Sequence, residues 1–187
     1  MPEVFTLGHG TRSTELLVEV LRSAAVTCVI DVRRFPASRR HPHFHKNALQ
    51  RWLPEHSIDY EWGEAFGGRR TSLKDGPTRH PAWRNAAFRA YAEHMETPEF
   101  QKALESLKKR TRSQSVSVMC AETLWWRCHR RLIADALTAS GIQVTHLFDG
   151  HMTQTHELSE FARVDAHDRV IYDVGVTLSL PGASLPE

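Results

Sequence analysis

Ser115-Val116-Ser117-Val118-Met119-Cys120-Ala121-Glu122 passes from an alternating apolar run into a thiol and a carboxylate, and Cys128-His129-Arg130 follows six residues later. If the apolar run is a strand of a parallel sheet, Glu122 sits at the carboxyl edge, where such folds bind ligands. Two earlier runs end in the same manner. Val4-Phe5-Thr6-Leu7 leads into Gly8-His9-Gly10-Thr11-Arg12-Ser13, and Thr27-Cys28-Val29-Ile30 leads into Asp31-Val32-Arg33-Arg34. Further strands are expected near 58–62 and 142–148, with a turn at Asp149-Gly150. Helical patterns fall near 13–24, 45–54 and 85–96, after Pro98, and at 125–139. This alternation predicts an α/β fold: a three-layer, Rossmann-like domain with a mostly parallel central sheet, bringing Gly8, Asp31 and Glu122 to one edge.

A chain of 187 residues suits one domain, here expected over 1–174 with a peripheral tail at 175–187. Hydrophobic residues at 41% and charged residues at 25% are values of a soluble globular protein. No apolar run reaches membrane-spanning length, and the first residues lack a leader pattern, so a cytoplasmic protein without a membrane partner is expected. Three cysteines do not make a disulfide scaffold, and Cys28 reads as core. The pattern sets no oligomeric state.

Cys120, Cys128, His129 and Glu122 offer a mixed sulfur, nitrogen and oxygen set that zinc or iron would accept. Residues 128 and 129, if both helical, point about 100° apart, which disfavours a shared ion. No metal site and no resident cofactor are therefore predicted, with zinc or iron as the alternative. A redox pair lacks the compact C-x-x-C spacing. Glu122 stands beyond its strand near the next helix, whose amino end favours an anion. Asp31 holds the equivalent place on another strand. The two carboxylates either divide acid and base work or pair internally with Arg33 and Arg130. His129 is either a proton-transfer group or a hydrogen-bonding one.

The formal charge of +2 is modest, but Arg33, Arg34, Arg39, Arg40, His41, His43, His45, Lys46 and Arg51 fall within nineteen residues. Phe35, Phe44 and Trp52 interleave with them. Such a segment suits phosphates and bases, with a solvated surface as the plain alternative. Arg69, Arg70, Lys74, Arg79 and His80 extend it into the polar stretch 66–84, which reads as a lid rather than core. The turn Gly8-His9-Gly10 with Arg12 is a weak anion-binding signal. His146, His151 and His156 fit no compact metal motif and read as surface or loop histidines.

The stretches F-T-L-G-H-G-T-R-S, D-V-R-R-F-P-A-S-R-R, Y-E-W-G-E-A-F-G-G-R-R, C-A-E and C-H-R-R-L-I together resemble the bacterial domain-of-unknown-function family 488. The family's motif positions fall here on Gly8, Asp31, Arg33, Pro36, Ser38, Arg39, Gly67, Gly68, Cys120, Glu122, Cys128, His129 and Arg130. Gly10 stands where many relatives have serine, and Trp62 where an aliphatic residue is usual. The resemblance implies an α/β fold and no particular reaction.

The expectation from the residues is a nucleic-acid-directed hydrolase, most specifically a DNA N-glycosylase that releases a damaged base, with DNA or a nucleotide-like ligand as partner. Asp31, Glu122 and His129 are its candidate catalytic groups. Arg33, Arg34, Arg39, Arg40, Arg51, Arg69, Arg70 and Arg130 are assigned to phosphates, and Phe44 and Trp126 to bases. Gly8, His9, Gly10 and Arg12 are the anion-binding candidates. A non-catalytic nucleic-acid or protein binding module and a metal or thiol-dependent oxidoreductase are the alternatives.

Overall fold

A computed structural model describes residues 2–71 and 78–176 of the chain. Its strands are β1 (Glu3–Gly8), β2 (Cys28–Asp31), β3 (Asp59–Trp62), β4 (Val116–Cys120), β5 (Gln143–Leu147) and β6 (Thr153–Thr155), in sheet order β3-β2-β4-β1-β5-β6. The first five are parallel, and β6 runs antiparallel on β5 after the Asp149-Gly150 turn, where Gly150 has φ of 67°. A separate pair, β7 (Arg163–Val164) with β8 (Val170–Ile171), is antiparallel.

The helices are α1 (Thr14–Ser23), α2 (Lys46–Glu55), α3 (Ala86–Met95), α4 (Pro98–Arg110) and α5 (Arg130–Ala139). Their boundaries follow local chemistry. The Ser13 hydroxyl accepts the Leu16 N–H at the start of α1. Thr97 caps α4, whose first residue is Pro98 and whose last turn is Lys108-Lys109-Arg110, matching the helix field at each end.

Strand side chains alternate between two cores. Val4, Cys28, Ile30, Val116, Val118 and Val144 face α3, α4 and α5, while Leu7, Val29, Met119 and Leu147 face α1 and α2. The result is the expected three-layer, Rossmann-like arrangement. Connections from β1 and β4, which are neighbours, leave toward opposite sides of the sheet, so a crevice opens between their carboxyl ends. Register places Gly8 beside Cys120 and Asp31 beside Met119, and so at that edge.

Three expectations change. The helix expected over 125–139 begins only at Arg130: residues 125–127 form a single 3-10 turn and Cys128 is extended, with φ −121° and ψ 152°. The stretch 66–84 is partly core, because His80 and Trp83 are buried and Trp83 packs with Phe88, Phe161 and Tyr172. Lys74 and the centre of the proposed lid lie outside the described residues, as does most of the tail. Finally, His146 and His156 are buried, and of that trio His151 alone is exposed. Their ring nitrogens are satisfied internally, which makes burial affordable. Among the described residues no helix is long and apolar enough to cross a membrane.

Candidate functional site

Past the strand ends the β1 and β4 loops are stitched together. The N–H groups of His9 and Gly10 donate to the carbonyls of Cys120 and Ala121, at 2.8 and 3.0 Å. A Cβ on Gly8 would lie 1.9 Å from the Glu122 carbonyl oxygen, so glycine is what allows the loops to meet. Those two amides are consumed by carbonyls rather than offered to an anion. Arg12 is likewise buried, donating to the Gly8 carbonyl and to Asp149. The turn works as a clamp on the β4 loop.

Asp31 is fully buried, and its carboxylate accepts from Arg33 Nε at 2.9 Å, Arg33 Nη2 at 2.6 Å, the Arg33 N–H at 3.1 Å and the Tyr60 hydroxyl at 2.8 Å. The sequence alternative of an internal ion pair is the one realised. Arg33 passes its remaining donors to the Phe44 carbonyl at 2.8 Å and to His9 Nε2 at 3.2 Å. Because His9 Nε2 receives Arg33, its Nδ1 carries the proton to the Gly10 carbonyl, 3.0 Å away. Burial, then the Arg33 charge, lowers the His9 pKa to about 4, so the ring is neutral. Phe44 is fully buried and stacks on His9 at 4.0 Å, so its face is occupied.

The cavity beside this clamp has a volume of about 720 Å³. His9, Arg34, Phe35, Arg69, Glu122, Arg127 and the group Cys120, Cys128 and His129 lie on its wall, and Glu122 is the one carboxylate among its described lining residues. Glu122 is exposed, with Oε1 accepting the Leu124 N–H at 3.0 Å. Its backbone carbonyl is held by Arg130 Nη2, which also reaches the Thr123 carbonyl at 3.3 Å. Arg130 is therefore a buried strut of the β4 loop, not a surface phosphate ligand.

Of the other arginines, Arg39, Arg40 and Arg51 are exposed but outside the cavity wall, and Arg70 caps the carbonyls of Glu64, Ala65 and Gly67. Arg79 is engaged with Glu96 and Asp165. Trp126 is 43% exposed and Phe35 is 67% exposed. Phe35, which the sequence reading placed among the interleaved aromatics but not with Phe44 and Trp126 as a base contact, is the phenyl ring on the cavity wall with its face exposed.

The thiols come together because Cys128 precedes the helix. With Cys128 extended and His129 turning into α5, the donor atoms of Cys120, Cys128 and His129 all lie within 4.8 Å of one another. This corrects the expectation, drawn from a helix running through both residues, that 128 and 129 diverge. The Arg130 N–H donates to Cys128 Sγ at 3.5 Å. A hydrogen bond from Cys120 is the main influence lowering the Cys128 pKa, and the Arg130 charge adds to it. The Cys120 thiol is correspondingly pushed up, by that hydrogen bond and by burial.

Behind the site runs a buried polar chain. Asp135 accepts His156 Nε2 at 3.0 Å, His156 Nδ1 accepts His146 Nε2 at 3.0 Å, and His146 Nδ1 accepts the Thr6 hydroxyl at 2.7 Å. The carboxylate sets each tautomer in turn. Arg130 Nη1 reaches Thr6 at 3.4 Å, so this chain abuts the strut holding Glu122. Trp125 stacks on His146 at 4.1 Å. No linear spacing signals this network, whose members come from β1, β5, α5 and the segment after β6.

Fold and site together define a Rossmann-like α/β protein with a cavity at the carboxyl edge of its sheet, walled by a carboxylate, arginines, two thiols and imidazoles. The chain belongs to the family Domain of unknown function DUF488, which matches residues 13–137. No curated protein and no solved structure matched it.

Proposed function

We propose that this protein is a nucleic-acid-directed hydrolase that cleaves the N-glycosidic bond of a damaged nucleotide admitted to the cavity. The observation that carries this reading is Glu122: the sole carboxylate on the described cavity wall, free on its outer side and fixed through its backbone by Arg130 and Gly8. A carboxylate so placed activates water and stabilises positive charge developing on a sugar. Asp31, consumed by Arg33 and Tyr60, acts here as a positioning residue. It orients Arg33, which holds His9 on the wall. Arg34, Arg69 and Arg127 suit the flanking phosphates, and Phe35 and Trp126 supply faces for bases. A cavity of this size takes a flipped nucleotide.

The test is single-turnover base release from oligonucleotides carrying a panel of damaged bases, with DNA affinity measured in parallel. Glu122→Gln preserves size and hydrogen bonding while removing the charge. Its release rate is expected to fall by about 10²–10⁴-fold, with affinity retained and an abasic sugar as the wild-type product. Release at the wild-type rate by folded Glu122→Gln refutes the mechanism. Binding without any base release by the wild type would assign the cavity to a binding module instead.

A further inference from the structure

We propose that Cys120, Cys128 and His129 form a zinc site in the cavity floor, with three protein ligands and a fourth position open to the cavity. Zinc bound by thiolates at about 2.3 Å and imidazole at about 2.0–2.1 Å in a tetrahedron requires a sulfur-to-nitrogen separation of about 3.6 Å. Cys128 Sγ and His129 Nδ1 are 3.5 Å apart, and Cys120 Sγ lies within 4.8 Å of both. The Cys128–His129 pair already has the separation a tetrahedral ion requires, and Cys120 stands within reach of it.

The surroundings are those of a ligand set. His129 Nε2 donates to the Val32 carbonyl at 2.9 Å, which fixes the ring and leaves the Nδ1 lone pair toward the thiols. A backbone carbonyl in that role is the usual outer partner of a metal-binding histidine. The Arg130 N–H on Cys128 Sγ supports a thiolate from the other side. Gly68 packs against the imidazole so closely that a Cβ there would sit 2.8 Å from Nδ1. Glycine at 68 thus permits the ring position on which the site depends.

Soft sulfur with imidazole selects zinc over magnesium or calcium. Cys120, Cys128 and His129 all line the cavity, and among the described residues no fourth histidine, cysteine or carboxylate joins their group, so the remaining position is assigned to the cavity. A site with three protein ligands and an open position has the form of a metal centre that receives water or a ligand atom, not of a closed structural one. Cys28, on the same face of the sheet but at the opposite end of its strand, takes no part.

The full chain, reduced and stripped of metal, would be titrated with Co²⁺ and then Zn²⁺. Expected are one ion per chain, a near-ultraviolet thiolate-to-cobalt band, visible bands of tetrahedral intensity, and displacement by Zn²⁺. Cys128→Ser and His129→Gln should weaken binding by more than the ~100-fold that loss of an outer partner costs, and Gly68→Ala by about 10–100-fold. Cys28→Ala should leave the spectrum unchanged. Because the wild-type titration needs no variant to fold, it decides alone: reduced protein that gives no thiolate band refutes the site. Undiminished binding in Cys120→Ser/Cys128→Ser does so too. Readout is spectroscopic, so the site stands or falls separately from base release.

Discussion

Asp135→Asn isolates the charge at the end of the buried polar chain. Asp135 is fully buried on α5, and its carboxylate accepts four hydrogen bonds: His156 Nε2 at 3.0 Å, the Ser159 N–H at 2.9 Å, the Ser159 hydroxyl at 2.8 Å and the Tyr172 hydroxyl at 2.9 Å. Asparagine can keep its carbonyl on the two fixed donors, His156 and the Ser159 N–H. Its amide then faces two hydroxyls that rotate to accept. The shape survives, but every bond changes from charge-assisted, worth about 1.5–3 kcal/mol, to neutral, worth about 0.5–1.5 kcal/mol. A loss of about 1 kcal/mol per bond predicts destabilisation by about 3–4 kcal/mol. For a chain of this length each kcal/mol lowers Tm by about 2–4 °C. Asp135→Ala should cost more, because it strands buried donors that alanine cannot meet. Urea unfolding followed by circular dichroism, with the m-value checked for constancy, gives both numbers. Asparagine within about 0.5 kcal/mol of wild type, the range of an ordinary surface change, or alanine milder than asparagine, would refute the reasoning.

Stability should also fall in mild acid. His9 is held to about 4 by burial and Arg33, and His146 to about 3 by burial, His156 and Arg130, from 6.5 in each case. The unfolded chain binds those protons first. The contribution is therefore complete above pH 6.5 and falls by about 1.4 kcal/mol per histidine for each pH unit below it; urea midpoints unchanged between pH 7 and 5 would contradict it. Gly8→Ala forces a methyl into the Glu122 backbone and should cost about 1–3 kcal/mol while slowing any Glu122-dependent reaction; a variant unaltered in both unfolding and rate would remove the clamp from the account. Arg39→Ala/Arg40→Ala should reduce the slope of log affinity for DNA against log salt by about 2, more than a pair of changes in the tail, whereas identical salt dependence would free these exposed arginines of any phosphate role.

The strand ends at Gly8, Asp31 and Cys120, just before Glu122, were legible because burial imposes a repeat: apolar runs stop where the chain leaves the sheet, and turn residues mark the place. Cys28 as core and the turn at Asp149-Gly150 were readable on the same local grounds. The site was legible only as a set of residue types. Asp31 is taken up by Arg33 two residues on, and the Tyr60 hydroxyl, brought alongside by β2–β3 pairing, joins them. Whether Cys128 and His129 diverge or converge depends on where α5 begins, which the apolar periodicity of 125–139 misplaced. That periodicity ran on through a 3-10 turn whose Trp125 is drawn onto His146. His146 and His156 read as surface or loop residues because their spacing fits no compact metal motif, while burial is decided by an imidazole's partners, and theirs lie on α5 and β1. The sequence by itself determined the alternation of strand and helix, the sheet edge carrying the chemistry and the residue types gathered there, since these follow from short-range pattern. Only the tertiary structure decided which carboxylate is consumed and which is free, and which thiols meet, because the pairing of Asp31 with nearby Arg33 is completed by Tyr60, Phe44 and His9 from other elements, and Cys120 and Cys128 meet only where the chain turns back before α5.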